Sequence, residues 1–227
     1  MNARDWLSRV DAQAFAAQLD AQGYAVLPNA FDTHDSRALI ELLDSARMTI
    51  GPDGGEFFHF DAGLPPLLDE WREALYLWLV PVANRWSALG GLDKTFPAEL
   101  DAFSDVNRRA GQSRAQSHAY RLREGDRLAL HRHDEGEWVF PLQAVVLLSE
   151  PQCDFTGGEF VMTEQRPRMQ SRPMVVPLAL GDIAVIASAQ RPVQGVHGHY
   201  RAKLKHAISR VRSGERVGLE LMFHDAP

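Results

Sequence analysis

Residues 139–148, VFPLQAVVLL, are a strongly apolar run in the second half of the chain. Further short runs rich in β-forming residues lie on either side of it, at residues 127–133, 158–163, 174–180, 183–187, 204–211 and 217–223. Turn residues separate these runs, among them Gly157-Gly158, Gly181-Asp182 and Ser213-Gly214. Many short strands divided by turns are typical of sandwiches and jelly rolls. We therefore predict a jelly roll, the double-stranded β-helix, over residues 113–227.

The first half of the chain predicts helices. Residues 11–22 carry apolar side chains near helical spacing and are followed by Gly23, a residue type that commonly ends a helix. Residues 65–86 predict a longer amphipathic helix that ends at Gly90-Gly91. The sequence shows no internal repeat and no linker-like tract. The predicted fold class is therefore α+β, mostly β with N-terminal helices. We expect a single domain over residues 1–227, in which residues 1–112 brace the roll.

The composition narrows the function classes. The chain has 227 residues and a formal net charge of −6. Most nucleic-acid-binding proteins carry a net positive charge or a basic face, so we expect no stable nucleic-acid complex. Cys153 is its one cysteine, which excludes an intramolecular disulfide and favours the cytoplasm. The N-terminus does not resemble a signal peptide and no apolar run is long enough for a membrane span, so we expect no membrane partner. The oligomeric state stays open.

Two histidines in the alternating run 127–133 are candidate metal ligands. His131 and His133 stand two residues apart. Side chains at i and i+2 of a strand share a face, so both imidazoles can point into the roll. Imidazole is a ligand for iron, copper, zinc and nickel. The pair therefore indicates a metal site that is completed by ligands from elsewhere in the chain.

The order of several motifs resembles the prolyl-hydroxylase-like branch of the 2-oxoglutarate and Fe(II)-dependent oxygenases. These motifs are, in chain order, Gly125 six residues before His131, then Gly157-Gly158-Glu159, then His206 ten residues before Arg216. The resemblance implies an enzyme that binds Fe(II) through His131 and His206 and consumes 2-oxoglutarate and O2. It also implies that Arg216 binds the distal carboxylate of 2-oxoglutarate, a role that suits the planar fork of a guanidinium.

A closer resemblance runs from about residue 23 to residue 225. The segments VFPLQAVVLLSEP, DFTGGEFVMTEQRPRMQSR, RPVQG and SRVRSG look like a bacterial subgroup of the same superfamily. That subgroup is proposed to act in the oxidative demethylation of damaged DNA. The resemblance implies a substrate that is a small molecule or a modified nucleobase, which the enzyme hydroxylates or oxidatively demethylates.

The chain departs from the family pattern at the metal. The family's triad is two histidines and one carboxylate, and His133 falls on the carboxylate position when the flanking VFPLQ is aligned. Three interpretations are open. His131, His133 and His206 form a three-histidine site, or Asp134 or Glu135 supplies a carboxylate through a local bulge, or the metal binds weakly. Strand alternation favours His133.

Two further residues are candidates for binding the co-substrate. Relatives often carry a tyrosine three residues before the turn glycine, where this chain has Leu122, and Tyr120 lies two residues earlier on the same strand face. Arg210 alternates with His206, which predicts that it faces the pocket. Two other functions stay open: a three-histidine oxygenase that does not use 2-oxoglutarate, and a non-catalytic jelly-roll binding protein.

Overall fold

The computed structural model describes residues 2–167 and 169–227. Five helices lie in the first half: α1 (Ala3–Leu7), α2 (Ala12–Gln22), α3 (Thr33–Leu43), α4 (Pro66–Leu89) and α5 (Leu100–Arg109). The Asp11 side chain accepts hydrogen bonds from two backbone N–H groups in the first turn of α2, and Gly23 ends this helix with a φ of 78°. The sequence predicted that Gly23 ends this helix, and the structure adds Asp11 as its N-cap.

The larger of two antiparallel sheets has eight strands. They are β1 (Tyr24–Leu27), β2 (Arg47–Ile50), β3 (Glu56–His59), β4 (His118–Arg123), β6 (Leu142–Leu147), β7 (Phe155–Gly157), β10 (Ile183–Ala187) and β13 (Val211–Leu221). Their order across the sheet is β1-β10-β6-β13-β4-β3-β2, and β7 pairs with β13 outside this path.

The smaller sheet has five strands: β5 (Leu128–His131), β8 (Phe160–Gln165), β9 (Arg172–Val176), β11 (Gln190–Gly195) and β12 (Gly198–Ile208). Their order is β11-β12-β8-β9, and β5 also pairs with β12. From β4 onward the chain passes repeatedly between the two sheets, so strands distant in sequence become neighbours. The fold class is confirmed as mostly β with N-terminal helices.

The helices pack into the same core as the sheets. One cluster of buried apolar residues extends from Ala3 to Phe223 and draws on both halves of the chain. Tyr76 of α4 contacts Phe103 of α5, Phe140 and Phe223, with ring centroids 5.0–6.1 Å apart. Arg72 of α4 also donates a hydrogen bond to the carbonyl of Met222. The helices therefore hold the end of β13. Within the described residues, no helix combines the length and the apolar character that crossing a bilayer requires.

One local prediction was wrong, and one hairpin was missed. Ser213-Gly214 was predicted as the turn between two strands, but both residues lie within β13, and the chain reverses at Ser209 and Arg210. Gly214 has a φ of 77°, and the register of β13 against β7 shifts between Val211 and Ser213. These are features of a β-bulge, which uses a glycine without ending the strand. The hairpin of β2 and β3 around residues 51–55 was not predicted.

Candidate metal centre

His131 and His206 meet on neighbouring strands. They are directly paired in the register of β5 against β12, and their ring centroids lie 4.2 Å apart. Nδ1 of His131 lies 2.9 Å from the carbonyl oxygen of Ala129. Because a carbonyl only accepts, Nδ1 carries the proton and Nε2 keeps a free lone pair. His206 is buried, and burial lowers its pKa, which favours the neutral imidazole that metal binding requires.

His133 joins the two histidines by a route that differs from the prediction. Strand β5 ends at His131, so the i, i+2 argument does not apply to His133. The backbone N–H of His133 instead donates to the carbonyl of Ser188 at 3.3 Å. The ring centroid of His133 lies 5.1 Å from that of His131 and 5.6 Å from that of His206. The three predicted histidines therefore lie together.

A fourth donor, Glu220, was missed from the sequence. His131, His133, His206 and Glu220 each offer one ligand atom, and these atoms lie within 4.8 Å of one another. Glu220 is on β13 and is fully buried. Residues i and i+4 of a strand share a face, so the alternation that turns Arg216 inward also turns Glu220 inward. That alternation was the available signal.

The two carboxylate oxygens of Glu220 have different surroundings. Oε2 lies 2.9 Å from Nε2 of His133 and 3.2 Å from Nε2 of Gln143. Oε1 is buried with no hydrogen-bond partner among the described residues, and lies 3.6 Å from Nε2 of His206. Burial alone would raise the pKa of Glu220, but His206 and the hydrogen bond from His133 outweigh it and hold the pKa well below its ordinary value. Glu220 is therefore an anion with one unused oxygen.

Arg216 and Tyr120 form a buried, hydrogen-bonded pair on β13 and β4, and Arg216 is on the same strand as Glu220. Arg216 is 1% exposed, and its guanidinium donates to the Tyr120 hydroxyl at 2.9 Å and to the Gly158 carbonyl at 2.8 Å. Both partners are neutral, and no carboxylate in residues 2–167 or 169–227 pairs with Arg216. Burial raises the pKa of Tyr120 despite the nearby Arg216, so the hydroxyl stays protonated. A buried, uncompensated guanidinium is costly unless an anion joins it.

The structure does not bring the other predicted candidates into the centre. Arg210 is exposed in the turn after β12, since the strand ends before it, and so does not face the pocket. The Asp134 carboxylate pairs with Arg132 at 2.6 Å, and that of Glu135 pairs with Arg114 at 2.8 Å. Neither is part of the four-residue cluster, so no bulge delivers either carboxylate there.

A cavity of about 370 Å³ opens onto the centre. Its wall includes His131, His133, His118 and the aromatic ring of Phe57. Charged side chains at its edge are already paired, for example Glu135 with Arg114. This volume is within the range of small-molecule sites.

The chain is similar in sequence to two proteins and in fold to several solved structures. The uncharacterized proteins Rv2227 and MT2286 of two Mycobacterium tuberculosis strains are each 40% identical to it over 167 residues, covering 74% of this chain and 72% of theirs. A Pseudomonas putida prolyl-4-hydroxylase superposes with a TM-score of 0.57 at 15% identity, covering 95% of this chain and 99% of that one. A Burkholderia pseudomallei oxidoreductase of the 2OG-Fe(II) oxygenase family gives 0.54 at 20% identity, covering 96% and 93%.

The two solved structures show that the fold is shared with 2-oxoglutarate and Fe(II)-dependent oxygenases. The family model Oxygenase-NA, described as an oxygenase catalysing oxidative methylation of damaged DNA, matches residues 55–226. That match covers well over half of the chain, and it confirms the resemblance inferred from the sequence motifs. The chain therefore belongs to the Oxygenase-NA family and is an oxygenase.

Proposed function

We propose that the protein is an Fe(II)- and 2-oxoglutarate-dependent dioxygenase that hydroxylates or oxidatively demethylates a small molecule or a modified nucleobase. One observation carries the proposal: four clustered metal donors lie beside a buried arginine that has no carboxylate partner within the described residues. Imidazole and carboxylate donors together are the set that non-haem Fe(II) oxygenases use. The unpartnered Oε1 of Glu220 supports the presence of a cation at the same point.

Each part of the centre has its own task in this proposal. The iron would be held within the cluster of His131, His133, His206 and Glu220, and Gln143 contacts the carboxylate of Glu220 and orients it. When bound, Fe(II) would activate O2, the oxidant, and 2-oxoglutarate would supply two electrons for that activation and leave as succinate and CO2. The centre is buried on the side of His206 and Glu220, whereas His131 and His133 are partly exposed where the cavity opens, and that side would admit the substrate.

Arg216 and Tyr120 would hold the distal carboxylate of 2-oxoglutarate. The guanidinium compensates the charge of the carboxylate, and the protonated Tyr120 hydroxyl can donate a further hydrogen bond to it. Gly218 lies between Arg216 and Glu220 on the same face of β13 and leaves room there for the Tyr120 hydroxyl. One strand thereby sets the distance between the anion-binding pair and the metal cluster.

The strand pairing supports the predicted roll. β4, β13, β6 and β10 are consecutive in the larger sheet, and β12 pairs with both β5 and β8 in the smaller one. We assign these strands, with β9, to a double-stranded β-helix over residues 113–227. The shared core of helices and sheets supports one domain over residues 1–227.

The cavity supports a compact substrate. A volume of about 370 Å³ suits a small molecule or a single base. Its edge carries paired charges of both signs, whereas a surface that tracks a nucleic-acid backbone is positively charged. A modified nucleobase would have to enter this cavity on its own, out of any base stack.

The proposal is tested by measuring succinate release with Fe(II), 2-oxoglutarate and either methylated oligonucleotides or free metabolites. We expect succinate above background in at least one substrate set. Arg216→Ala should raise the KM for 2-oxoglutarate by ~10-fold or more, since it removes hydrogen bonds to a charged group.

Each alternative predicts a different result. Unchanged activity of Arg216→Ala would indicate an oxygenase that does not use 2-oxoglutarate. Absence of metal uptake by the parent protein would indicate a non-catalytic binding protein. Turnover with oligonucleotides alone would assign the substrate to modified bases, and turnover with metabolites alone would assign it to small molecules.

A further inference from the structure

The four clustered donors are more than the proposed chemistry can use. In the proposed function, on which this inference rests, an Fe(II) ion with six positions would have to leave room for 2-oxoglutarate, a bidentate chelator, and for O2. Three positions then remain for protein ligands, as in the facial triad of non-haem oxygenases. One of the four side chains, His131, His133, His206 or Glu220, must therefore stay off the metal.

His131 and His206 have the geometry of ligands. Their rings are the closest pair in the cluster, with centroids 4.2 Å apart, and β5 and β12 hold them in direct register. The hydrogen bond from Nδ1 of His131 to the Ala129 carbonyl orients the ring and leaves Nε2 free. Metal-binding histidines are commonly held in this way by a backbone carbonyl.

His133 has the geometry of a supporting residue. Its Nε2 lies 2.9 Å from Oε2 of Glu220. An ionised carboxylate can only accept, so Nε2 carries a hydrogen in this contact. A ring nitrogen that donates a hydrogen bond has no lone pair to offer to a metal. His133 and Gln143 together occupy Oε2 and fix the orientation of the carboxylate.

Glu220 has the free atom that the centre needs. Oε1 is buried and unpartnered among the described residues, and lies on the side of His206, at 3.6 Å. A carboxylate also sets the charge of the site. A coordinated carboxylate offsets the Fe(II) charge by direct contact, whereas with three imidazole ligands the same carboxylate would act on that charge only from a greater distance.

We infer that the metal triad is His131, His206 and Glu220, and that His133 is a positioning residue that holds Glu220 through a hydrogen bond. The carboxylate has moved from the position two residues after the first histidine to the last strand of the roll. His133 occupies the vacated position and supports its replacement. Strand β13 then carries both the anion-binding Arg216 and the carboxylate ligand.

The test counts ligands directly on the purified full-length chain. Cu(II) serves as a paramagnetic probe, and pulsed EPR counts coordinated imidazoles from their remote nitrogens. We expect two imidazoles in the parent, two in His133→Phe and one in His131→Ala. Three imidazoles in the parent, with one lost in His133→Phe, would overturn the assignment. The number of imidazoles in the parent distinguishes the proposed triad from a three-histidine site even if a variant fails to fold.

A second measurement uses the affinity for Mn(II), by titration calorimetry without 2-oxoglutarate. Glu220→Gln should weaken binding by ~100-fold or more and His133→Phe by ~10-fold, within the range for loss of an outer partner. His133→Gln should restore most of the affinity, because its side-chain N–H can still donate to Glu220. Glu215→Gln is the matched control, since Glu215 lies on β13 but pairs with Arg121 and Arg123.

A double variant tests the relocation itself. His133→Asp in the Glu220→Gln background places a carboxylate at the vacated position and should recover metal affinity. Unchanged affinity in Glu220→Gln would overturn the inference. These measurements need neither 2-oxoglutarate nor turnover, so a correct triad with no succinate release would contradict the proposed function alone.

Discussion

Gly218 faces Tyr120 across strands β13 and β4, and the contact leaves no room for a side chain. A Cβ at this position would lie 2.6 Å from the Tyr120 hydroxyl and 2.8 Å from the Val146 carbonyl. Gly218 is outside the positive-φ region, so the effect of a substitution is one of packing alone. Tyr120 would have to move, and its contact with Arg216 would be lost.

We therefore expect Gly218→Ala to raise the KM for 2-oxoglutarate by roughly tenfold, the equivalent of one hydrogen bond to a charged group. Overpacking should also lower the free energy of unfolding by about 1–3 kcal/mol. Steady-state kinetics and denaturant unfolding measure the two effects. Gly195→Ala, at the end of β11 where it pairs with Gly198 and not with β13, should leave the KM unchanged. An unaltered KM in Gly218→Ala would show that Tyr120 does not contribute to co-substrate binding.

At the level of single residues, motif spacing located three parts of the centre. His131, His206 and Arg216 were found because their separations follow the family pattern. Glu220 was missed because the family pattern leads the search for a carboxylate to the residues just after His131. Only the inward alternation of β13 reveals it, and the predicted turn at Ser213-Gly214 obscured how far that strand extends.

Among the elements, a buried ion pair ties helix α2 to the smaller sheet. Glu164 of β8 and Arg191 of β11 are both buried and lie 2.5 Å apart. Arg191 also donates to the carbonyls of Asp20 and Ala21 at the end of α2. Glu164→Gln would leave the Arg191 charge buried without its partner, so we expect the free energy of unfolding to fall by about 3–5 kcal/mol.

Denaturant unfolding checks this value. Glu73→Gln is the matched control, because Glu73 forms an exposed ion pair with Arg4 at 2.6 Å and such pairs contribute about 0–1 kcal/mol. Equal losses of unfolding free energy in the two variants would show that the buried Glu164–Arg191 pair stabilises the fold no more than the exposed pair does.

Strand positions were easier to predict than strand ends. The apolar run at residues 183–187 became β10 with the same bounds, because a fully buried strand is apolar throughout. β2 was missed because all four of its residues are exposed, so no burial pattern marks it. Gly214 marks a bulge inside β13, and a glycine alone does not tell a bulge from a turn.

For the whole molecule, buried histidines make stability depend on pH. His224 is 1% exposed, and burial, with the nearby His133 and Arg72, lowers its pKa from 6.5 to about 3. Below pH 6.5, His224 of the unfolded chain binds a proton, whereas His224 of the folded chain stays neutral until about pH 3. Stability should therefore fall as the pH drops through this window, with a slope of about 1.4 kcal/mol per pH unit from this residue.

His224→Asn removes the titrating group, so we expect a shallower acid-side fall in the free energy of unfolding. Urea titrations at several pH values between neutrality and pH 4 give the slope. Curves that run parallel for parent and variant would mean that other groups account for the acid sensitivity.

Strand β13 has a consequence for how such a centre can change over time. Arg216 and Glu220 point inward only in one register, and a slip by a single residue would turn both outward together. Binding of 2-oxoglutarate by Arg216 and binding of the metal by Glu220 therefore depend on the same strand register. A shift of this strand would remove both at once, whereas a change at His133, outside β13, would weaken only the positioning of Glu220.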